Sequence, residues 1–179
     1  MASGTAGATE QRRFTDPGVK LYDFADEVLV RCPKCGGCAL VLARPGDACE
    51  PRWIGAREHT RLRLRCGCGH AVDAVPDHLA FGGPVDPYFR LPLWLDADCC
   101  GRRLWAFNPA HLDLLESYVG AVLRERTAFP GSLSLVARLP AWVKSAKHRD
   151  EVLRTIRRLR ATLPPSLRPT LPPGHRPGR

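Results

Sequence analysis

Two short cysteine clusters carry the residue types best suited to chemistry in this chain of 179 residues. The first reads Arg31-Cys32-Pro33-Lys34-Cys35-Gly36-Gly37, and the second reads Arg65-Cys66-Gly67-Cys68-Gly69-His70. Two pairs of cysteines at such a separation supply four thiolates, the set that one tetrahedral zinc ion takes. Both clusters end in glycine, which allows the tight turn that points backbone N–H groups at the thiolates. The sequence therefore predicts a zinc site.

The first pair carries the stronger signal. Proline after Cys32 restricts the backbone, and glycine after Cys35 permits the turn. A redox motif of the same spacing belongs at the N-terminus of a helix, whereas these cysteines lie between two strand-like runs. We therefore interpret them as metal ligands. Zinc is the expected metal, and iron is the alternative that four thiolates also suit.

The second cysteine pair has a shorter spacing than the first. Only Gly67 separates Cys66 from Cys68, one residue fewer than in the first pair. We expect these two cysteines to complete the site, with His70 as the alternative to one of them. Cys99 and Cys100 are adjacent, and neighbouring side chains usually diverge. Buried structural thiols are the favoured interpretation there, and a second metal site is the alternative.

Catalytic motifs are lacking. The chain has no G-x-S-x-G, H-E-x-x-H, Walker A or G-x-G-x-x-G pattern. A zinc ion held by four thiolates has no free position for a substrate water, which argues against zinc catalysis. We expect a protein that is not an enzyme. A cysteine-dependent enzyme with Cys99 or Cys100 as nucleophile is the weakest alternative.

The excess positive charge is concentrated at one end. The formal charge is +9, of which residues 141–179 carry +8. A local basic surface suits the phosphates of nucleic acid, and an adaptor that meets an acidic protein is the alternative. The candidate contacts come from one alternating strand and from the basic C-terminal helices. They are Arg61, Arg63, Arg65, Lys144, Lys147, Arg154, Arg157 and Arg158.

Hydropathy and cysteine content predict where in the cell the protein is found. No apolar stretch approaches the ~18 residues needed to span a bilayer, so no membrane partner is expected. Residues 1–10 have no hydrophobic segment of the kind that a secretory signal needs. The sequence thus predicts a cytoplasmic protein with reduced cysteines. It leaves the oligomeric state open.

Strands and helices must position these groups. Residues 28–30 and 39–43 predict a hairpin around the first cysteine pair. Residues 60–65 alternate, with Leu62 and Leu64 on one face and arginines on the other. Asn108-Pro109 predicts a helix start, and the apolar stripe that follows extends this helix to about residue 126.

The predicted fold class is α+β, with an N-terminal antiparallel zinc ribbon, a short aromatic β element and C-terminal helices. The aromatic strands are expected at residues 89–95 and 104–107. The predicted organisation is a disordered N-terminus (1–20), the ribbon (21–75), a Pro/Gly linker with the β element (76–108), a helical region (109–163) and a disordered basic, proline-rich tail (164–179).

Several strings of residues resemble a family of uncharacterised bacterial proteins, the TFIIB-type zinc ribbon-containing proteins. The resemblance covers roughly residues 28–163, and it implies a zinc ribbon followed by a small α+β region, with no established activity. This chain departs from the family pattern at Cys66-Gly67-Cys68, where the spacing between the two cysteines is one residue shorter. The strings are Cys32-Pro33-Lys34-Cys35-Gly36-Gly37, residues 86–95, residues 104–108, residues 116–119 with 123–126, residues 139–144 and residues 146–153.

Overall fold

The computed structural model describes residues 13–45, 60–75, 79–125 and 134–167. The strands are β1 (Arg13–Thr15), β2 (Glu27–Arg31), β3 (Cys38–Pro45), β4 (Thr60–Cys66), β5 (Ala71–Ala74), β6 (Leu95–Cys99), β7 (Arg102–Ala106) and β8 (Leu123–Glu125). The α-helices are α1 (Pro109–Gly120), α2 (Leu135–Arg138), α3 (Ala141–Lys144) and α4 (Arg149–Ala161). The α+β class is confirmed.

Strands β2 to β5 form an antiparallel sheet in the order β2-β3-β4-β5. The alternation predicted for β4 is confirmed: Leu62 and Leu64 are buried, and Arg61, Arg63 and Arg65 are exposed. Side chains alternate between the faces of a strand, so this strand presents one apolar face and one basic face.

Both faces of this sheet receive apolar packing. Val28, Val41 and Leu64 are register partners on one face, where they pack in a cluster with Phe107. Leu29 and Leu40 are partners on the other face and pack against the core of α1 and α4. Arg65 is the next partner of Leu40. The β4 arginines therefore continue the face that the helices cover at β2 and β3.

Asn108 fixes the start of α1. Its side-chain oxygen accepts a hydrogen bond from the His111 N–H at 2.9 Å, and its amide donates to the carbonyls of Phe24 and Glu27, also at 2.9 Å. The predicted N-cap is confirmed. One side chain thus ties the helix to the segment that leads into β2.

The helix ends earlier than predicted. Helix α1 stops at Gly120, and residues 123–125 form β8 instead of continuing the helix to about residue 126. Strand β8 pairs in parallel with β1, which lies in the segment predicted as disordered. Phe14 on β1 packs edge-on against Tyr118 at 5.4 Å, and this contact anchors the pair. Residues 1–12 and 168–179, which the sequence also predicts as disordered, lie outside the described residues.

The hairpin β6–β7 is shifted from its predicted position. Its strands occupy residues 95–99 and 102–106, whereas residues 89–94 lie mostly in turns and isolated bridges. Asp86 explains the difference because its buried carboxylate accepts the N–H groups of Tyr88, Phe89 and Leu91 at 2.6–3.0 Å. A side chain that accepts hydrogen bonds from three nearby backbone N–H groups favours a turn over a strand.

Candidate metal centre

The first cysteine pair lies in a turn between β2 and β3. The Cys32 N–H donates to the Gly37 carbonyl at 2.8 Å, and the Gly36 N–H donates to the Cys32 carbonyl at 2.9 Å. Gly36 has a φ of 73°, which few other residues adopt without strain. The Gly37 N–H points at the Cys35 sulfur at 3.4 Å. The turn therefore brings both sulfurs to one side and supplies backbone N–H donors to them.

The second pair repeats this turn with one residue fewer, between β4 and β5. Here the Cys66 N–H donates to the His70 carbonyl at 2.9 Å, and the Gly69 N–H donates to the Cys66 carbonyl at 3.0 Å. Gly69 takes the role of Gly36, with a φ of 86°. In the second turn, the Cys66 N–H bonds to a carbonyl four residues later in the sequence, whereas in the first turn the Cys32 N–H bonds to a carbonyl five residues later. The second turn is therefore one residue shorter, and its short cysteine spacing still allows the sulfurs to converge.

The two turns bring four sulfurs together. Cys32 Sγ lies 3.8 Å from Cys68 Sγ, and Cys35 Sγ lies 3.6 Å from Cys66 Sγ. All four sulfurs lie within 4.8 Å of one another, close enough to hold a metal ion. Tetrahedral zinc with bonds of about 2.3 Å holds its sulfurs about 3.8 Å apart. The donor set and its spacing therefore fit a zinc ion.

The thiols of this cluster have divergent acidities. Burial acts to raise the pKa of Cys32, but hydrogen bonds from the N–H groups of Cys35 and Lys34 outweigh it and lower the pKa to about 7. The Cys68 N–H acts to lower the pKa of Cys66, yet burial and the neighbouring thiols raise it. Four thiols this close cannot all ionise without a cation between them. The arrangement thus favours a bound positive ion.

The alternatives left open by the sequence are not part of this group. Among the described residues, the four cysteines are the only cluster of three or more potential ligands, and it excludes His70, Cys99 and Cys100. Cys38 also lies outside it, and burial raises the pKa of its thiol to about 11. Cys66 and Cys68, rather than His70, lie with the first pair.

The predicted nucleic-acid contacts fall on two separate elements. Arg61, Arg63 and Arg65 project from one face of β4. Arg63 makes a bidentate pair with Asp73 on β5 at 2.5 and 2.9 Å, which offsets its charge. Arg61 and Arg65 form no ion pair with any described residue. Among the described residues, the β4 face therefore presents two guanidinium groups outside any ion pair, of which Arg65 still acts through its charge to lower the pKa of the Asp73 carboxyl.

The predicted nucleic-acid contacts on the helices differ in how far their side chains are engaged within the fold. Lys144 donates to the Ala137 carbonyl at 2.6 Å and is half-buried, so its side chain has a local structural contact. Arg154 pairs with Glu151 on the same helix. Arg158 donates to the Asp98 carbonyl at 3.2 Å, which ties α4 to the β6–β7 hairpin. Lys147 and Arg157 are exposed. The predicted basic helix is thus partly occupied by contacts within the fold.

One feature missed from the sequence is the convergence of Cys99 and Cys100. Adjacent side chains were expected to diverge, but their sulfurs lie 3.9 Å apart. The available signal was the dipeptide Cys100-Gly101 between two strands, because glycine in a two-residue connection indicates a hairpin turn with positive φ. This pair is a second thiol group, distinct from the four-cysteine cluster.

No protein-family model, no curated protein and no solved structure matches this chain. The resemblance to the TFIIB-type zinc ribbon-containing proteins therefore stays a prediction. Among the described helices, none is both long enough and apolar enough to cross a membrane.

Proposed function

We propose that this protein is a non-enzymatic module in which Cys32, Cys35, Cys66 and Cys68 hold one structural zinc ion and the basic face of β4 contacts nucleic acid. The convergence of the four sulfurs carries the zinc part of this proposal. Zinc would join the β2–β3 turn to the β4–β5 turn and so supply much of the local folding free energy. The TFIIB-type zinc ribbon family is part of the same proposal and rests on sequence strings alone.

A structural role for the metal agrees with the ligand set. Four thiolates fill a tetrahedral site and leave no open position for substrate. The four sulfurs of the cluster also lie at two tight turns that connect strands of the sheet. At this site the surrounding residues orient the thiolates, and their backbone N–H groups donate hydrogen bonds to them.

The nucleic-acid part rests on Arg61 and Arg65. Both are exposed and unpaired among the described residues, and alternation places them on the same face as Arg63. Guanidinium groups bind phosphate oxygens with directed hydrogen bonds.

Fluorescence anisotropy tests this proposal. Zinc-loaded protein is titrated into labelled single-stranded RNA and duplex DNA at low and moderate salt. The double variant Arg61→Gln/Arg65→Gln is compared with Arg102→Gln/Arg138→Gln, which removes two exposed arginines that lie outside the predicted contacts. We expect affinity to fall steeply with salt, and the first variant to reduce the salt slope by about 2, one for each lost phosphate contact.

Two results would overturn the nucleic-acid part. One is the absence of binding even at low salt. The other is an equal loss in both double variants, which would show that only net charge matters. In either case zinc content, measured on the same samples, reports separately on the metal site. Nuclease-resistant co-purification of one acidic protein would instead favour the adaptor.

A further inference from the structure

The β6–β7 hairpin turns on two residues that both have positive φ. Cys100 has a φ of 53° and Gly101 has a φ of 69°, the signs that a type I′ turn requires. Glycine adopts this conformation freely, but a residue with a side chain pays a steric penalty there. Cys100 is one of two non-glycine residues with positive φ among those the structure describes. The hairpin thus places a cysteine where local preference disfavours it.

This turn brings two adjacent sulfurs together. In a regular strand, the side chains of neighbouring residues point to opposite faces. The left-handed backbone at Cys100 turns its side chain back toward Cys99, and the two Sγ atoms lie 3.9 Å apart. The sulfur pairs in the four-cysteine cluster are 3.6 and 3.8 Å apart. The separation is therefore that of two ligands of one central atom.

The surroundings fix one of the two thiols and leave the other accessible. Cys99 is 2% exposed and packs in the core beneath α4, whereas Cys100 is half-buried at the edge of that core. The Thr155 hydroxyl hydrogen-bonds to Cys99 and accepts from Arg158 at 3.2 Å. Burial raises the pKa of Cys99, which favours the neutral thiol at that residue. A ligand would approach from the Cys100 side.

A direct disulfide is disfavoured at this position. Adjacent Cα atoms are about 3.8 Å apart, and disulfides usually join Cα atoms separated by about 4.4–6.8 Å. Closing the sulfur–sulfur bond would therefore store strain. A larger atom that accepts one bond from each sulfur avoids this strain because the sulfurs can remain further apart. Among the described residues no third protein ligand joins the pair, so the protein can hold the bound atom through two sulfurs only.

We propose that Cys99 and Cys100 form a second thiol site that binds one trivalent arsenical through both sulfurs. With phenylarsine oxide as the probe, two arsenic–sulfur bonds form and the arsenic–oxygen double bond breaks. The oxygen leaves as water with the two thiol protons, and arsenic stays trivalent. No oxidant or reductant is needed. The soft arsenic centre matches the soft thiol donors.

The test is native mass spectrometry of the zinc-loaded full chain with one equivalent of phenylarsine oxide, with zinc release followed by a chromogenic chelator. We expect one phenylarsenic group per chain and retained zinc. Cys100→Asn removes the sulfur while keeping a residue that tolerates positive φ. This variant and Cys99→Ser should bind about 100-fold more weakly, because chelation by the second sulfur is lost.

Cys38→Ser is the matched control, since Cys38 is a partly buried thiol outside both groups. It should bind the arsenical as the unmodified chain does. The proposal is overturned if no arsenical binds, if binding releases zinc in equal amount, or if Cys100→Asn retains full binding. Each variant's zinc content shows whether the fold is intact, and Cys100→Asn remains decisive if Cys99→Ser does not fold.

Discussion

Cys35 Sγ lies 3.6 Å from Cys66 Sγ, although 31 positions separate the two residues in the sequence. The pairing register explains this approach. Ala39 is the partner of Cys66, so the turn that precedes β3 and the turn that follows β4 lie at the same end of the sheet. The sheet is therefore the scaffold that sets the distance between the two cysteine pairs.

Removal of one thiol should abolish tight metal binding. We expect Cys68→Ser to lower zinc affinity by more than about 100-fold, beyond the range seen when only an outer-shell partner is lost. Competition with a chromogenic chelator measures this change. Cys38→Ser is the control, and it should retain one zinc ion per chain because Cys38 is outside the cluster. Equal zinc loss in both variants would contradict the assignment of ligands.

Glycine in the second turn should matter only where φ is positive. Gly69 has a φ of 86°, and its would-be Cβ meets no atom within 4 Å, so Gly69→Ala introduces backbone strain without a clash. We expect a cost of about 1–2 kcal/mol, or roughly tenfold in zinc affinity. Gly67→Ala is a close control, since Gly67 also has open space but lacks a positive φ. Indistinguishable affinities for the two variants would argue against a strained turn.

The parts of the fold that local patterns specify were predictable. The alternation of Leu62 and Leu64 with arginines sets the two faces of β4, because a one-residue slip would expose both leucines. Asn108-Pro109 sets the start of α1, because the side chain and the ring suit adjacent helix positions. The two glycine-flanked cysteine pairs likewise indicated turns. These features depend on neighbours in sequence.

The parts that depend on distant residues were not predictable. Val122 and Leu123 fit the apolar stripe of a longer helix, yet they are 55% and 42% exposed, and the chain becomes extended at Ala121. Pairing of β8 with Arg13–Thr15 competes with the helix, and three-residue strands carry no periodic signal. The convergence of Cys99 and Cys100 escaped prediction for a similar reason, since it depends on the dihedral angles of one turn.

Asp86 should be essential for the loop before β6. Its carboxylate is fully buried and accepts three backbone N–H groups. Asp86→Ala leaves those donors unpaired, at about 1–3 kcal/mol for a buried group, so we expect a total loss of about 3 kcal/mol or more. Urea unfolding of zinc-loaded protein measures it. Asp98→Ala, at a side chain that is 84% exposed, should cost less than about 1 kcal/mol. Similar costs for both would contradict this role.

His111 should make the stability depend on pH. It is almost fully buried, stacks on Phe24 at 5.0 Å, meets the edges of Trp105 and Phe107, and accepts the Phe107 N–H at 3.3 Å. Burial lowers its pKa from 6.5 to about 4. Between these values the unfolded chain binds more protons, so stability rises with pH. The contribution is complete above pH 6.5, and it is lost as pH falls towards 4.

The expected loss from this histidine is on the order of 3 kcal/mol across that window. His111→Phe removes the titration, so its free energy of unfolding should change less between pH 7 and pH 5 than that of the unmodified chain. The variant also leaves the Phe107 N–H without its acceptor and should be less stable at pH 7 by about 1–3 kcal/mol. Proton-driven release of metal affects both proteins alike, so the difference between their pH profiles isolates His111. Parallel profiles would show that the buried imidazole does not control the acid response.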